Sequence, residues 1–381
     1  MKIWESPAGE IKLKRHPFSG GKSHQAWDAA DGWIIRRLSE PASPALIVGE
    51  AFGVLGTVWG SADLTVLSDS LLSLSALELN RSLNPEKTGG SLKILRTTDD
   101  TSAAFETIIL RLPKDLGLLE LYIRQTQKYA RGSTEIWVGG MDRRWSRGAK
   151  SLIEKYFNIA ETFPFERHAR WLRCTPADPQ YVPAPEASAE KPVWEIEEFS
   201  IKIKPAPAVF SSGSVDGGTA AFLESFPEAA AKSSRVTADL GCGAGILGLC
   251  AARLNPQSEV IFTDESFTAL RSADNNFRLN KLAAKSRFIA ANGLEGVPDG
   301  SVDLVLCNPP FHYQNIQTLD VALFMFEEAR RVLVPGGTIQ LVGNSHLGYH
   351  KHLRQYFPNA REVFRNKKFV VLRGSRESRQ S

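Results

Sequence analysis

The chain has 381 residues, 43% of them hydrophobic and 23% charged, with a formal net charge of +4. That length exceeds one ordinary hydrophobic core and predicts two domains of a globular protein. It holds no run of about 18 apolar residues that would span a bilayer, Met1-Lys-Ile-Trp-Glu5 lacks the apolar core of a signal peptide, and Cys174, Cys242, Cys250 and Cys307 form no C-x-x-C pair. The expectation is a cytoplasmic protein with reduced thiols, no membrane association and no metal.

In chain order, Ala26-Trp-Asp-Ala-Ala-Asp-Gly-Trp33 has the spacing of a helix with one apolar face. Ala45-Leu-Ile-Val48 is a short buried strand that runs through glycines into a helix. A second strand follows over Asp63–Asp69, and residues 70–80 are helical in spacing. Between 111 and 173, Lys and Arg outnumber Asp and Glu almost two to one, and Arg143-Arg144-Trp145-Ser146-Arg147 is the densest cluster. Arginines with an interleaved aromatic suit phosphate contact with base stacking, although a solvated loop has the same composition.

The same order of elements returns in the second half. Ala45-Leu-Ile-Val-Gly-Glu-Ala-Phe-Gly-Val-Leu-Gly56 parallels Thr237-Ala-Asp-Leu-Gly-Cys-Gly-Ala-Gly-Ile-Leu-Gly248. Thr65-Val-Leu-Ser-Asp69 echoes Val260-Ile-Phe-Thr-Asp264, and Arg111-Leu-Pro-Lys114 stands where the second half has Asn308-Pro-Pro-Phe311. Apolar strand positions are kept while the polar and glycine positions change. The chain therefore reads as a duplicated α/β domain whose first copy lost its site and kept its fold for binding.

The expected boundaries are 1–175 for the degenerate copy, 176–192 for a Pro- and Ala-rich linker, and 193–381 for the second domain. Trp194–Lys204 alternates as a strand or hairpin, and a loop from Pro205 to Thr219 leads into a helix over Ala220–Phe226. Val236–Arg253 is then strand, glycine loop and helix. Gly241, Gly243 and Gly245 let a ligand approach backbone N–H groups at the positive end of that helix. Asp264 ends the next strand, placed to accept hydrogen bonds from ribose hydroxyls. Farther on, the apolar run Asp303–Cys307 stops at Asn308-Pro309-Pro310-Phe311-His312. There the Asn308 amide and a neighbouring free carbonyl could hold an –NH2 group. Gly243-x-Gly245-x-x-Gly248 is also a formal dinucleotide fingerprint, so the loop by itself leaves two cofactor classes open.

Asp239 before the glycine loop, combined with Asn308-Pro-Pro-Phe311 after the fourth strand, resembles class I S-adenosylmethionine-dependent methyltransferases acting on an amino group. Adding Pro207-Ala-Val-Phe210-Ser211, Asp216 with Gly218, and Asn366-Lys-Lys-Phe-Val-Val-Leu-Arg373, nearly the whole chain resembles the ribosomal RNA guanine-N2 methyltransferases, most closely the large-subunit (23S) type. The resemblance implies two tandem Rossmann-like class I methyltransferase domains, the first degenerate. It also implies S-adenosyl-L-methionine as cofactor and a guanosine of 23S ribosomal RNA as substrate, with 16S RNA as the alternative. Asn308 and the Pro309 carbonyl would accept the amine hydrogens, Phe311 would stack on the base, and His312 is a candidate for RNA contact or proton uptake. Phe210, Asp239, Gly241, Gly243, Gly245, Asp264, Asn292 and Asn308 would line the cofactor. Arg143, Arg144 and Arg147 would meet RNA, with Arg330, Arg331 and the stretch 365–379 as further candidates. A nicotinamide-dependent oxidoreductase, a methyltransferase of DNA adenine or of protein glutamine, and a silent RNA-binding assembly factor are the competing readings.

Overall fold

A computed structural model of the chain describes residues 1–17, 25–99, 101–177, 192–209, 214–310 and 318–377. The chain divides into two compact units, Met1–Ala189 and Glu190–Ser381.

The first unit opens with an antiparallel hairpin, β1 (Lys2–Ser6) and β2 (Gly9–Leu13), followed by α1 (Ala29–Arg37). It continues with β3 (Ala45–Val48), α2 (Val54–Val58), β4 (Leu64–Ser68), α3 (Leu71–Ser82), β5 (Leu92–Arg96) and β6 (Thr107–Arg111). The unit closes with α4 (Leu116–Tyr129), β7 (Glu135–Met141), α5 (Arg147–Tyr156), β8 (Phe157–Thr162) and β9 (Ala169–Pro176). Its seven strands lie in the order β5-β4-β3-β6-β7-β9-β8. The first five run parallel, and β9 is antiparallel to both of its neighbours. All four residues of β3 are buried, as a central parallel strand covered on both faces must be.

The second unit repeats the plan. A short hairpin, β10 (Trp194–Ile196) and β11 (Ile201–Ile203), precedes α6 (Gly217–Leu223), α7 (Glu228–Ser233), β12 (Val236–Leu240), α8 (Ile246–Leu254) and β13 (Glu259–Asp264). Next come α9 (Phe267–Leu279), β14 (Lys285–Ala290), β15 (Val302–Cys307) and α10 (Thr318–Val332), then β16 (Leu333–Asn344), α11 (Tyr349–Tyr356), β17 (Arg361–Arg365) and β18 (Phe369–Ser375). The order β14-β13-β12-β15-β16-β18-β17 is that of the first sheet, element for element. In each unit the chain order reverses beside the first strand, leaving a crevice at the carboxyl ends of β3 and β6 or of β12 and β15.

Side-chain amides tie each hairpin to its sheet in the same way. In the first unit the Lys12 N–H donates to Asn84 Oδ1 (2.9 Å) and Asn84 Nδ2 donates back to the Lys12 carbonyl (2.8 Å); Lys14 and Asn80 repeat the exchange. In the second, Lys202 and Asn280 exchange the same pair (2.7 and 2.6 Å), and the Lys204 N–H donates to Asn276 Oδ1. Asn80 and Asn276 each also donate to a carbonyl of the loop after the first strand, Phe52 and Ala244. Four-residue spacing puts each pair on one helix face.

Three expectations shift. The helix expected over Ala220–Phe226 is α6, Gly217–Leu223, because Asp216 caps it and brings Thr219 into its first turn. The helix placed from Ala26 begins at Ala29, because Asp28 adopts an extended conformation and caps it through the N–H groups of Ala30 and Asp31. The second-strand match moves by one residue. Gly49 N–H donates to the Leu67 carbonyl as Gly241 N–H does to Thr263, and Ser70 and Ser266 cap equivalent helices. Ser68, not Asp69, therefore stands in the place of Asp264.

Candidate active site

The loop between β12 and α8 folds over the carboxyl edge of the second sheet. Gly241 and Cys242 donate their N–H groups to the Thr263 carbonyl, each at 2.9 Å. Gly243 donates to Asp264 Oδ2 (2.9 Å), and Asp264 Oδ1 accepts the N–H of Ser266 (2.9 Å). Gly243 has φ +54°, and a Cβ there would meet no atom within 4 Å. The loop thus turns a bare backbone towards open space, the surface a bound ligand needs.

Asp239 sits beneath this loop, 2% exposed, with Oδ2 accepting the Gly248 N–H at 2.8 Å. Gly248 is itself required by close packing, since a Cβ would lie 2.3 Å from the Phe262 ring. Burial, reinforced by the nearby Asp264 charge and opposed by the Gly248 N–H, pushes the Asp239 carboxyl up to about 8. Asp239 braces the turn from inside, whereas Asp264 faces the crevice. Asn292 follows β14, half-buried, with its amide 3.5 Å from Glu295 Oε1.

Asn308 leaves the end of β15 directly beside the glycine loop, since Leu240 pairs with Cys307. Its Nδ2 donates to Thr219 Oγ1 on α6 at 3.0 Å. Its Oδ1 is buried and has no hydrogen-bond partner among the described residues. Leaving such an acceptor unpaired costs about 1–3 kcal/mol, which a donor on a bound ligand would recover. Pro309 behind it is buried. The glycine loop, Asp264, Asn292 and Asn308 therefore converge on one crevice, from four adjacent strand ends.

The same positions of the first unit are filled. Strand pairing puts Arg111 at the place of Asn308. Arg111 donates to both carboxylate oxygens of Asp28, each at 3.0 Å, and lies 3.3 Å from Asp31 Oδ1. Burial works against the Arg111 charge, but Asp28 and Asp31 outweigh it and raise its pKa. Asp31, wholly buried and beside Asp28, is pushed up to about 7 against the pull of Arg111. Tyr122, 3% exposed, lies across the vestigial crevice: its ring is 2.6 Å from where a Cβ of Gly49 would stand, and its hydroxyl accepts the Asp69 N–H at 3.1 Å. Ile47 has replaced the Asp239 carboxylate, yet Glu50 supplies one from the loop, accepting the Gly56 N–H (3.1 Å) that corresponds to Gly248.

A model of the "Methyltransferase small domain" family matches residues 200–373, and one of the "RLMG N-terminal domain" matches residues 1–178. The ribosomal RNA large subunit methyltransferase G of Pseudomonas putida (strain GB-1) is 34% identical over 98% of this chain and 99% of its own. The protein of the same name from Streptomyces coelicolor is 35% identical over 98% and 100%. This chain belongs to the large-subunit methyltransferase G family. The fold of the family is matched by a solved structure, the 16S rRNA N2 G1207 methyltransferase of T. thermophilus in complex with AdoMet and guanosine, with a TM-score of 0.76 at 20% identity over 99% of this chain and 98% of that one. The tandem Rossmann-like architecture and the large-subunit resemblance seen in the sequence are thereby borne out.

Phe210, Phe311, His312 and residues 178–191 of the expected linker lie outside the described residues. Arg143 and Arg144 form a short turn after β7, and Arg147 opens α5; among the described residues none of the three makes an ion pair. Trp145 between them is half-buried: its ring packs against the core, and its indole N–H donates to the Gly140 carbonyl at 3.3 Å. Arg331, a candidate RNA contact in the sequence, is committed to Glu328, Asp299 and the carbonyls of Leu294 and Val297. Arg365 is likewise paired with Glu362, and Arg373 with Gln340. Sequence reasoning missed Thr219, Glu50, Tyr122 and the paired asparagines; of these only the Asn-x-x-x-Asn spacing, present in both halves, was a signal that could have been found.

Proposed function

We propose that this chain is an S-adenosylmethionine-dependent methyltransferase that modifies N2 of a guanosine in 23S ribosomal RNA. The observation that carries the reading is the orphaned, buried Asn308 Oδ1 at a strand end beside an open glycine loop and Asp264. The residues present suit the cofactor: bare backbone at Gly241 and Gly243 for the methionine part, Asp264 for the ribose, and Asn292 for the adenine side. The 23S assignment follows the full-length relatives named as large-subunit enzymes; likeness to the 16S enzyme at 20% identity speaks to fold alone.

When bound, S-adenosylmethionine supplies an electrophilic methyl group. The chemistry left to the protein is orientation, because guanine N2 is a weak nucleophile whose lone pair is delocalised into the ring. Asn308 Oδ1 and the Pro309 carbonyl accept the two amine hydrogens and pull that lone pair towards the reacting side. A positioned amide suffices, and no strong base is required. The target base must leave its stack to reach this crevice, and Phe311 is assigned the stacking role by the family resemblance. The first unit, without a site of its own, docks RNA, with Arg143, Arg144 and Arg147 as phosphate contacts.

Mapping methylated guanines in ribosomal RNA from cells lacking the protein tests the reading. One N2-methylguanosine should vanish from 23S RNA, return with the wild-type chain and stay absent with Asn308→Ala. Loss confined to 16S RNA would reverse the subunit assignment, and no loss in either would remove the function.

A further inference from the structure

The amide of Asn308 is useful only if its oxygen, not its nitrogen, faces the amine. Rotation by 180° about the last side-chain bond exchanges the two at little steric cost, and a reversed amide would point an N–H at the N–H groups of the substrate. Something must therefore set its sense, and the surroundings of Asn308 contain it.

We propose that Thr219, held by Asp216, is a positioning residue that locks the Asn308 amide with its oxygen towards the substrate. Asp216 caps α6: its Oδ1 accepts the N–H groups of Gly218 (2.9 Å) and Thr219 (3.1 Å). That leaves Oδ2, which accepts the Thr219 hydroxyl at 2.5 Å. A hydroxyl has one proton, and at this distance from a carboxylate the proton is committed. Thr219 Oγ1 then offers only lone pairs to its other neighbour, so Asn308 must direct Nδ2 at it, the 3.0 Å contact observed. Oδ1 is left on the opposite side, buried and without a partner among the described residues. Flipping the amide would set two oxygens against each other and break the chain of polarised hydrogen bonds. Thr219 is 5% exposed, so water is not at hand to replace either bond.

The first unit argues that this hydroxyl serves more than the helix cap. Asp28 occupies the position of Asp216 and still caps its helix, and Asp31 stands at the position of Thr219. The cap survives with a carboxylate there, so capping does not require a hydroxyl. The hydroxyl has disappeared in the copy where Arg111 replaced the amide.

The inference rests on the methyltransferase reading, and the variants separate the two. Methylation of a 23S transcript is measured at saturating S-adenosylmethionine for the wild type, Thr219→Val, Thr219→Ser, Asp216→Asn and Asn308→Ala, with cofactor affinity by calorimetry and melting temperature alongside. Thr219→Val keeps shape and loses the hydroxyl; it should lower kcat about 100-fold while KM and cofactor affinity stay within a few fold. Thr219→Ser should restore most of the rate. Should Thr219→Val not fold, Asp216→Asn keeps a cap but turns an N–H towards Oγ1, freeing the threonine proton to face Asn308, and it should lower kcat in the same way. An undiminished kcat in Thr219→Val, or equal losses in Thr219→Val and Thr219→Ser, would overturn the positioning role while leaving the function standing. A wild type that forms no N2-methylguanosine, or an Asn308→Ala that still does, would overturn both.

Discussion

The two halves of this chain share a sheet order, a pair of asparagine clamps and a buried carboxylate under the first loop, yet they treat the same crevice in opposite ways. In the second unit the crevice keeps an open glycine at 243 and an Asn308 acceptor without a partner among the described residues. In the first, Tyr122 lies across the space and Arg111 locks its polar edge to Asp28 and Asp31. The degenerate copy did not erode into a void; it was repacked with a ring and a buried ion network. Among the described residues both crevices hold unpaired buried polar atoms, Arg111 Nη1 and Glu50 Oε1 in the first and Asn308 Oδ1 in the second, so the difference lies in the space: a ring fills one and bare backbone at Gly243 faces the other.

Breaking the matched positions should therefore give opposite phenotypes. Asn308→Ala should abolish methylation and leave cofactor affinity within a few fold, as read by activity and calorimetry. Arg111→Ala, at the corresponding place, should spare cofactor binding but destabilise the first unit by about 3 kcal/mol in denaturant titration, because the buried Asp31 and the half-buried Asp28 lose their partner. Gly243→Ala should weaken S-adenosylmethionine binding by more than about tenfold, equivalent to about 1.4 kcal/mol. The reverse change in the first unit, Ala51→Gly, should create no second site, since Tyr122 remains. Replacing Arg143, Arg144 and Arg147 together by Ala should lower RNA affinity and flatten its dependence on salt concentration; an unchanged slope would remove the docking role.

The last effect concerns pH, where the units should agree. Burial pushes both Asp239 and Glu50 up to about 8. Each is protonated in the folded chain at neutral pH, while its unfolded counterpart ionises near pH 4. A raised acid pKa contributes stability that is complete below about pH 4 and is lost as pH rises towards about 8. Melting temperature should accordingly fall between about pH 6 and pH 8, and less steeply in Asp239→Asn or Glu50→Gln. Identical slopes in wild type and variants would show that neither carboxyl is held protonated.

Much of this was legible in the sequence, for physical reasons. Apolar runs, alternating glycines and the abrupt Asn-Pro-Pro stop fix strand ends, and the parallel between residues 45–56 and 237–248 showed the duplication. A site lost in the first copy was visible too, but not what replaced it. Arg111 read as a missing amide, because Asp28 and Asp31 lie 83 and 80 positions away in the chain and meet it only through the fold. Tyr122 on α4 carries no signal in the sequence, because an aromatic ring in a helix is as readily a core residue. Thr219 was hidden for the same reason, since its link to Asn308 spans 89 residues. Arg331 misled in the other direction: a charge pattern cannot tell a solvated arginine from one already bonded to Glu328 and Asp299. The one-residue slip at Asp69 arose because a strand's sequence does not state its register, which the Gly49–Leu67 and Gly241–Thr263 hydrogen bonds supply.

Equilibrium dialysis with labelled S-adenosylmethionine, on the intact chain and on Asp264→Ala, tests the contrast between the units most directly. One cofactor per chain, lost in Asp264→Ala while circular dichroism stays unchanged, is the result this account predicts. Two cofactors per chain, or one that survives the substitution, would contradict it.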